Sequence, residues 1–388
     1  MRFFSTVFAS LAVLATVLAS PTPLKTVERY QGSVNTGSFI VTLKDGVDKS
    51  TVLKGLGLNA THEWDNSFLH GFAGKFSEQA LNRLRASPAV ESIAEDGIMH
   101  TQVTQTNAPW GLGRIVSTAR LTNTNVAALT FTYTYDASAG SGVDVYVVDT
   151  GVFTGHSQFG GRARWGRTFG PYADADGNGH GTHVAGTIGG SQYGVAKSVN
   201  IIAVKVLSDS GSGAVADIVS GLNFVLTSAR ASGRPSIVSM SLGGGASTAL
   251  DNAVASLTAG GVHVVVAAGN SNVDAGTTSP ARAPSAITVG ASTIADARAS
   301  FSNFGSVVDV FAPGQDVISS WIGSSTATNR ISGTSMATPH ISGLAAYLIS
   351  LNGNQSPAAL STTIKSLSLK GVLTGIPSGT LNDLAHHA

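Results

Sequence analysis

Val143-Asp-Val-Tyr-Val-Val-Asp-Thr-Gly151 decides the fold. Val143 to Val148 is a short, nearly continuous apolar run rich in β-branched valine, which predicts a strand. A strand with one wet face alternates apolar and polar residues; this run does not, so it needs cover on both faces. Three further segments read the same way: Ile201-Ile-Ala-Val-Lys-Val206, Ile237-Val-Ser-Met240 and Val262-His-Val-Val-Val-Ala267. Between and after them stand helix candidates at His183 to Ile188, Ala216 to Leu226 and Leu250 to Ala259, with one more following Ser335 and running through Ile349. Strands alternating with helices predict an α/β fold, a doubly wound and mostly parallel sheet. Ligands of such a sheet gather at the carboxyl ends of its strands, and Asp149 stands at one.

The chain changes character upstream. Ser38 to Leu43 reads as a strand stopped by Lys44-Asp45-Gly46, and Val47 to Leu58 as a short amphipathic helix. Phe68 to Phe76 is strand-like, Ser77 caps a helix through Leu84, and Val90 to Ala94 is a final strand. Strand–helix–strand–helix–strand makes a small α+β module of its own. Before it, Arg2, the apolar run Val7 to Leu18 and the small residues Val17 and Ala19 spell a secretory signal with a cut after residue 19. The run is too short and wrongly flanked for a good membrane span.

Composition narrows the chemistry. Only 12% of residues are charged, net charge is +1, and no Lys/Arg run marks a nucleic-acid or anionic-membrane surface. No nucleic-acid or membrane partner is expected. Cysteine is absent, which removes thiol nucleophiles, thiolate metal sites and disulfides. An exported chain of this kind depends on core size, hydrogen bonding or a metal for stability.

Three segments put a reactive group at a strand end or a helix start. Asp149 ends its strand. His180 lies where Asp176-Gly-Asn-Gly-His-Gly-Thr-His-Val-Ala-Gly186 runs from a glycine-rich loop into a helix. Ser335 lies in Ser332-Gly-Thr-Ser-Met-Ala-Thr-Pro-His340, again a loop becoming a helix. A serine hydroxyl attacks well only when a base takes its proton, and an imidazole base works best when a carboxylate fixes its tautomer. Helix starts also offer unpaired N–H groups to a developing oxyanion. Asn270, after a buried strand in Ala267-Ala-Gly-Asn270, offers a carboxamide donor for the same purpose. Taken singly, Asp149 and Asn270 read as turn residues, Ser335 as a helix cap, His180 and His183 as metal ligands, and His263 and His340 as structural.

Together, Val148-Asp-Thr-Gly151, His180-Gly-Thr-His-Val-Ala-Gly-Thr187 and Gly333-Thr-Ser-Met-Ala-Thr-Pro-His340 resemble the subtilisin-like serine proteases, closest to the proteinase K-like branch. The likeness runs from Thr106 to the C-terminus. It implies a serine endopeptidase with the triad Asp149, His180 and Ser335; it selects His180 over His183, which spacing does not. It implies an oxyanion hole at Asn270 and the Ser335 amide. Ser212-Gly213 and Ser241-Leu242-Gly243 resemble the backbone segments that sandwich an extended protein or peptide substrate. Ser241 to Gly244 and Ala267 to Gly269 would wall a pocket without charge, for an apolar or aromatic residue before the cut. Val215 stands where many relatives carry a tyrosine. Pro284 and Ala286 carbonyls with the Asp309 carboxylate match a structural Ca2+ site, while Val372 replaces the acidic residue of a second.

The α+β module resembles the ferredoxin-like inhibitory prosegments of this family, an intramolecular partner that blocks the cleft after self-cleavage near Gln102–Val103. Expected boundaries are thus 1–19 signal, 20–102 prosegment and 103–388 peptidase domain, secreted and monomeric. Two rivals remain. An aspartic protease would use Asp149-Thr-Gly151 and Asp209-Ser-Gly211, two carboxylates sharing a proton. A catalytically silent relative would keep the fold as a binding protein.

Overall fold

Side-chain caps set the helices of the N-terminal part. Asp48 accepts from the N–H groups of Ser50 and Thr51 to start α1 (Lys49–Leu56), which ends where Gly57 turns left-handed at φ 63°. Ser77 caps α2 (Glu78–Ala86), with Glu78 in the first turn and Arg83 and Arg85 in the last, complementing the helix dipole. The computed structural model describes residues 23–30, 35–65, 67–99 and 101–387. The expected signal, residues 1–19, lies outside them. Two units divide the chain, the first ending at Met99 and the second beginning at His100.

In the first unit, β1 (Val27–Glu28), β2 (Asn35–Leu43), β3 (His62–Trp64), β4 (Gly71–Gly74) and β5 (Val90–Gly97) form one sheet in the order β1-β5-β2-β4-β3. Central β2 runs antiparallel to both β4 and β5. Leu53 of α1 and Leu84 of α2 pack with Val41, Leu43, Phe72, Val90 and Ile93. Running β2-α1-β3-β4-α2-β5, this is the expected ferredoxin-like arrangement. The brief β1 and β3 carry no readable period and were not foreseen.

The second unit opens with an antiparallel ribbon, β6 (Gln102–Ala108) on β7 (Phe131–Asp136), flanking α3 (Trp110–Val116). Strands β8 (Asp144–Asp149), β9 (Ala163–Thr168), β10 (Asn200–Lys205), β11 (Ser236–Met240), β13 (His263–Ala267), β15 (Ile287–Ser292) and β16 (Val310–Pro313) run parallel. Two short strands, β19 (Leu369–Lys370) and β20 (Asp383–Leu384), extend the sheet to the order β19-β20-β16-β15-β13-β11-β8-β10-β9. Small two-stranded ribbons pair β12 (Gly244–Gly245) with β14 (Thr278–Ser279) and β17 (Val317–Ser320) with β18 (Thr328–Ile331). The helices are α4 (His180–Gly189), α5 (Val215–Ser232), α6 (Thr248–Ala259), α7 (Thr334–Asn352) and α8 (Pro357–Leu367).

The continuous apolar runs explain the layering. Along β8, Val145 and Val147 join the core shared with α4 and α7, while Tyr146 and Val148 join the core shared with α5 and α6. Successive side chains point to opposite faces, so a run without alternation fills two cores at once. Order reverses at β8: the chain goes outward to β9, returns through β10, then crosses to β11 on the other side. Asp149 ends the strand at this switch point, where a doubly wound sheet opens a crevice.

Candidate active site

Asp149 is fully buried at the end of β8 (0% exposed). Its Oδ1 accepts from Thr150 N–H at 2.7 Å and faces Nδ1 of His180 at 2.8 Å. His180 is the first residue of α4, with its side chain 25% exposed. The helix was expected from His183; it begins a turn earlier, because Asp176 gathers the loop before it. One oxygen of Asp176 accepts from Thr150 Oγ1 and from the N–H groups of Asn178 and Gly179. The other accepts from the N–H and hydroxyl of Thr182. Burial opposes the imidazolium of His180, but the Asp149 charge, its hydrogen bond and the Asp176 charge outweigh it and raise the pKa.

His183 behaves differently. Its Nε2 lies 3.0 Å from the Val317 carbonyl and 3.2 Å from that of Asn329, pinning α4 to the β17–β18 ribbon. Complete burial, then the nearby His180, lowers its pKa to about 3. Geometry therefore separates two histidines that spacing left equivalent. Each ring is committed elsewhere, and among the described residues no group of three or more metal-type side chains converges.

Ser335 sits in the first turn of α7, whose N-cap is Gly333. Asn270 Oδ1 accepts from Thr334 N–H at 2.8 Å and from its hydroxyl at 2.9 Å. That fixes the carboxamide and leaves Nδ2 as a donor. A methyl added at Gly333 would stand 3.5 Å from Ser335 N and 3.6 Å from Asn270 Nδ2, so both donors border one space. Pro339 lies inside α7 and has no N–H for the carbonyl four residues back, that of Ser335. Ser241 Oγ donates to that carbonyl instead, at 2.8 Å. Ser335 Oγ in turn donates to the Ser241 carbonyl at 3.2 Å. The nucleophile candidate is thus parked beside the expected substrate-binding segment rather than on the imidazole.

His180, Asn270 and Ser335 line one cleft of about 750 Å³. All the expected substrate-binding residues line it too: Ser212, Gly213, Ser241, Leu242, Gly243, Ala267 and Gly269. Among the described residues no Asp, Glu, Lys or Arg lines it. Sequence reasoning missed Asn303, whose Oδ1 accepts from Ser271 and Val273 N–H and whose Nδ2 donates to the Ala268 carbonyl, holding the loop that carries Asn270. It also missed Lys205, fully buried, with Nζ on the Thr150 carbonyl at 2.5 Å and on Asp209 Oδ1 at 2.9 Å. Only a lone lysine in an apolar strand signalled it. Asp209 is 62% exposed and paired to Lys205, while Asp149 is buried and paired to His180, against the paired-carboxylate reading.

Comparison with known proteins agrees with this geometry. Residues 140–378 match the model of the subtilase family, and residues 38–102 match that of the peptidase inhibitor I9 family. The chain belongs to the subtilase family. As a subtilase it is a serine protease, made with an I9-type prosegment. It is 46% identical to a cuticle-degrading protease of Metarhizium anisopliae, across 98% of this chain and 97% of that one. It is 47% identical to proteinase R of Parengyodontium album, across 92% and 90%. A crystal structure of a cold adapted subtilisin-like serine proteinase, 46% identical, covers 73% of this chain and 99% of its own, with a TM-score of 0.66.

Subtilases commonly bind calcium, so the expected site can be tested for fit. Pro284 is exposed and Ala286 buried in the turn before β15. Asp309 precedes β16, and its two oxygens are already engaged. Oδ2 accepts from Thr288 N–H at 2.9 Å, and Oδ1 takes the Lys365 ammonium at 3.0 Å. Two neutral carbonyls and one carboxylate carry a single negative charge, and Lys365 cancels it. With the Lys365 ammonium on Asp309, this donor set offers a divalent ion no net negative charge and fits it poorly; the sequence reading did not see that α8 brings a lysine there.

Proposed function

We propose that this subtilase is a secreted, broadly acting endopeptidase in which Asp149, His180 and Ser335 form the triad and Asn270 the oxyanion hole. The observation that carries the reading is the short His180 Nδ1–Asp149 bond, with the imidazole opening into the cleft that holds Ser335. With Nδ1–H donated to the carboxylate, Nε2 is the basic nitrogen. When substrate fills the cleft, Ser335 Oγ turns from the Ser241 carbonyl, gives its proton to Nε2 and attacks the peptide carbonyl carbon. Asn270 Nδ2 and the Ser335 N–H donate to the resulting oxyanion. Collapse breaks the C–N bond, and the imidazolium returns its proton to the leaving amine. Water, deprotonated by the same nitrogen, then hydrolyses the acyl-enzyme.

The uncharged cleft walls, with Leu207, Val215, Ile218 and Leu242 among them, favour apolar or aromatic side chains. Segments Ser212-Gly213 and Ser241-Gly243 would bind extended backbone by strand addition. Self-processing near Gln102–Val103 would convert a precursor of residues 20–388 into an enzyme of 103–388, with the tail ending at Gln102 left in the cleft as a product. For that cut the bond must leave the β6–β7 ladder, where Gln102 pairs with Asp136 and Val103 with Tyr135. The mature enzyme would act as a monomer. No helix among the described residues is long and apolar enough to cross a membrane.

Casein hydrolysis by secreted wild type beside Ser335→Ala, with N-terminal sequencing of each product, tests the reading. Wild type is expected to cleave and to begin near Val103, while the variant is inert and keeps its prosegment. A variant that matured and cleaved normally would remove Ser335 as nucleophile. An inert wild type would favour the silent, binding-only alternative.

A further inference from the structure

Asp309 is held from three sides. Its backbone N–H donates to the Thr288 carbonyl at 2.9 Å, and its Oδ2 accepts from Thr288 N–H, so β15 grips both backbone and side chain. The third contact comes from α8. Leu360 and Ile364 of that helix are buried in the core shared with α7, which fixes the helix against the body of the domain. Lys365 is the next residue, in the last turn, where carbonyl dipoles favour a cation. Its ammonium reaches Asp309 Oδ1 at 3.0 Å, and the pair is partly shielded, with 35% and 21% of the two side chains exposed. The end of α8 is capped by another residue. Lys370 Nζ donates to the Lys365 carbonyl, to Ser368 Oγ and to Asp383, leaving the Lys365 side chain to Asp309 alone.

We propose that the Lys365 ammonium is the resident cation of the Asp309 site: a tethered replacement for a metal, which makes this part of the domain independent of calcium. Three facts support it. The carboxylate oxygen that a hard cation needs carries the ammonium, the Pro284, Ala286 and Asp309 donor set keeps no net negative charge once Lys365 is counted, and calcium affinity follows ligand charge. A tethered cation also pays no translational entropy and does not leave at low ion concentration, as a dissociable one does. The tether also joins the strand end before β16 to the C-terminal helix. The inference concerns stability and does not rest on the assignment of the triad.

The test compares thermal midpoints by circular dichroism in millimolar calcium and in chelator, with a serine-directed inhibitor present so that autolysis does not enter. Wild type, Lys365→Met, Asp309→Asn and the double variant are measured, and calcium binding is titrated by calorimetry. The quantity read is the part of the calcium response that Asp309→Asn removes, which excludes any ion bound elsewhere. For wild type that part is expected to be nil. Lys365→Met is expected to melt lower in chelator, to recover in calcium, and to bind the ion on the order of tenfold tighter or more at a site lost in the double variant. Two results would overturn the proposal: a wild-type calcium response that Asp309→Asn abolishes, or a Lys365→Met protein that gains no response.

Discussion

Asp176 accepts five hydrogen bonds, from Thr150, Asn178, Gly179 and twice from Thr182, tying the His180 loop to the turn after Asp149. Its charge also helps raise the His180 pKa. A base works only when neutral, so kcat/KM is expected to climb as pH rises through that raised value. Asp176→Asn removes one raising charge, and the acid limb of the kcat/KM profile should move to lower pH, with a smaller plateau because an amide cannot accept all five bonds. A limb that stayed in place would separate Asp176 from the imidazole. In the proposed mechanism Asn270 acts on the reacting atoms themselves. Asn270→Ala is expected to lower kcat by about 10²–10³-fold, the range known for the equivalent donor in subtilisin, with KM nearly unchanged.

At the level of elements, α7 and the segment before β12 are joined by a reciprocal pair of bonds between Ser241 and Ser335. Pro339 makes the pair possible by leaving the Ser335 carbonyl without a helical donor. Ser241→Ala should therefore orphan a buried carbonyl and cost about 1–3 kcal/mol in urea unfolding of the inhibited enzyme. Adding Pro339→Ala gives that carbonyl a backbone N–H, so a double-mutant cycle should return part of the loss. Gly213 ends the turn that leads into α5, and a Cβ there would stand 2.2 Å from the Val206 carbonyl. Gly213→Ala must push outward the segment proposed to bind substrate. KM for peptides is expected to rise on the order of tenfold or more, while reaction with a small serine-directed inactivator stays near wild type.

The molecule as a whole carries an acid-sensitive core. Burial, and for His183 also the neighbouring His180, lowers the pKa of His183 to about 3, and burial lowers that of His340 to about 4. Both titrate near 6.5 once unfolded. Below that value the unfolded chain binds protons that the folded chain refuses, so stability falls as pH falls toward 4. At about 1.4 kcal/mol per pKa unit, the two rings together withdraw several kcal/mol. His180 has the opposite sign, adding stability at low pH that is lost as pH rises through its raised value, and one group offsets only part of the two. Urea midpoints of inhibited enzyme between pH 7 and 4.5 should decline steadily, and His340→Asn should flatten the decline. A flat wild-type profile would contradict this assignment.

What could be read without coordinates was whatever local physics controls. Continuous valine runs can only be doubly covered strands, so the parallel sheet and its two helix layers were legible from Val143 to Ala267. The small module was legible from its short strand-like runs and from Ser77, because a cap acts within a turn; the Asp48 cap of α1 was not read. The choice of Asp149, His180, Ser335 and Asn270 as candidates followed from strand ends and helix starts, which a doubly wound sheet collects on one edge. Tertiary structure alone decided the rest, since it depends on groups far apart in sequence. It set the His180 ring on the Asp149 carboxylate and the His183 ring on two backbone carbonyls, and paired Asp209 with Lys205. It also set Ser241 on the carbonyl that Pro339 left open. Lys365 was the sharpest case: 56 positions beyond Asp309, an ordinary lysine on a helix end until packing of α8 brought its charge to the one carboxylate where a metal was expected.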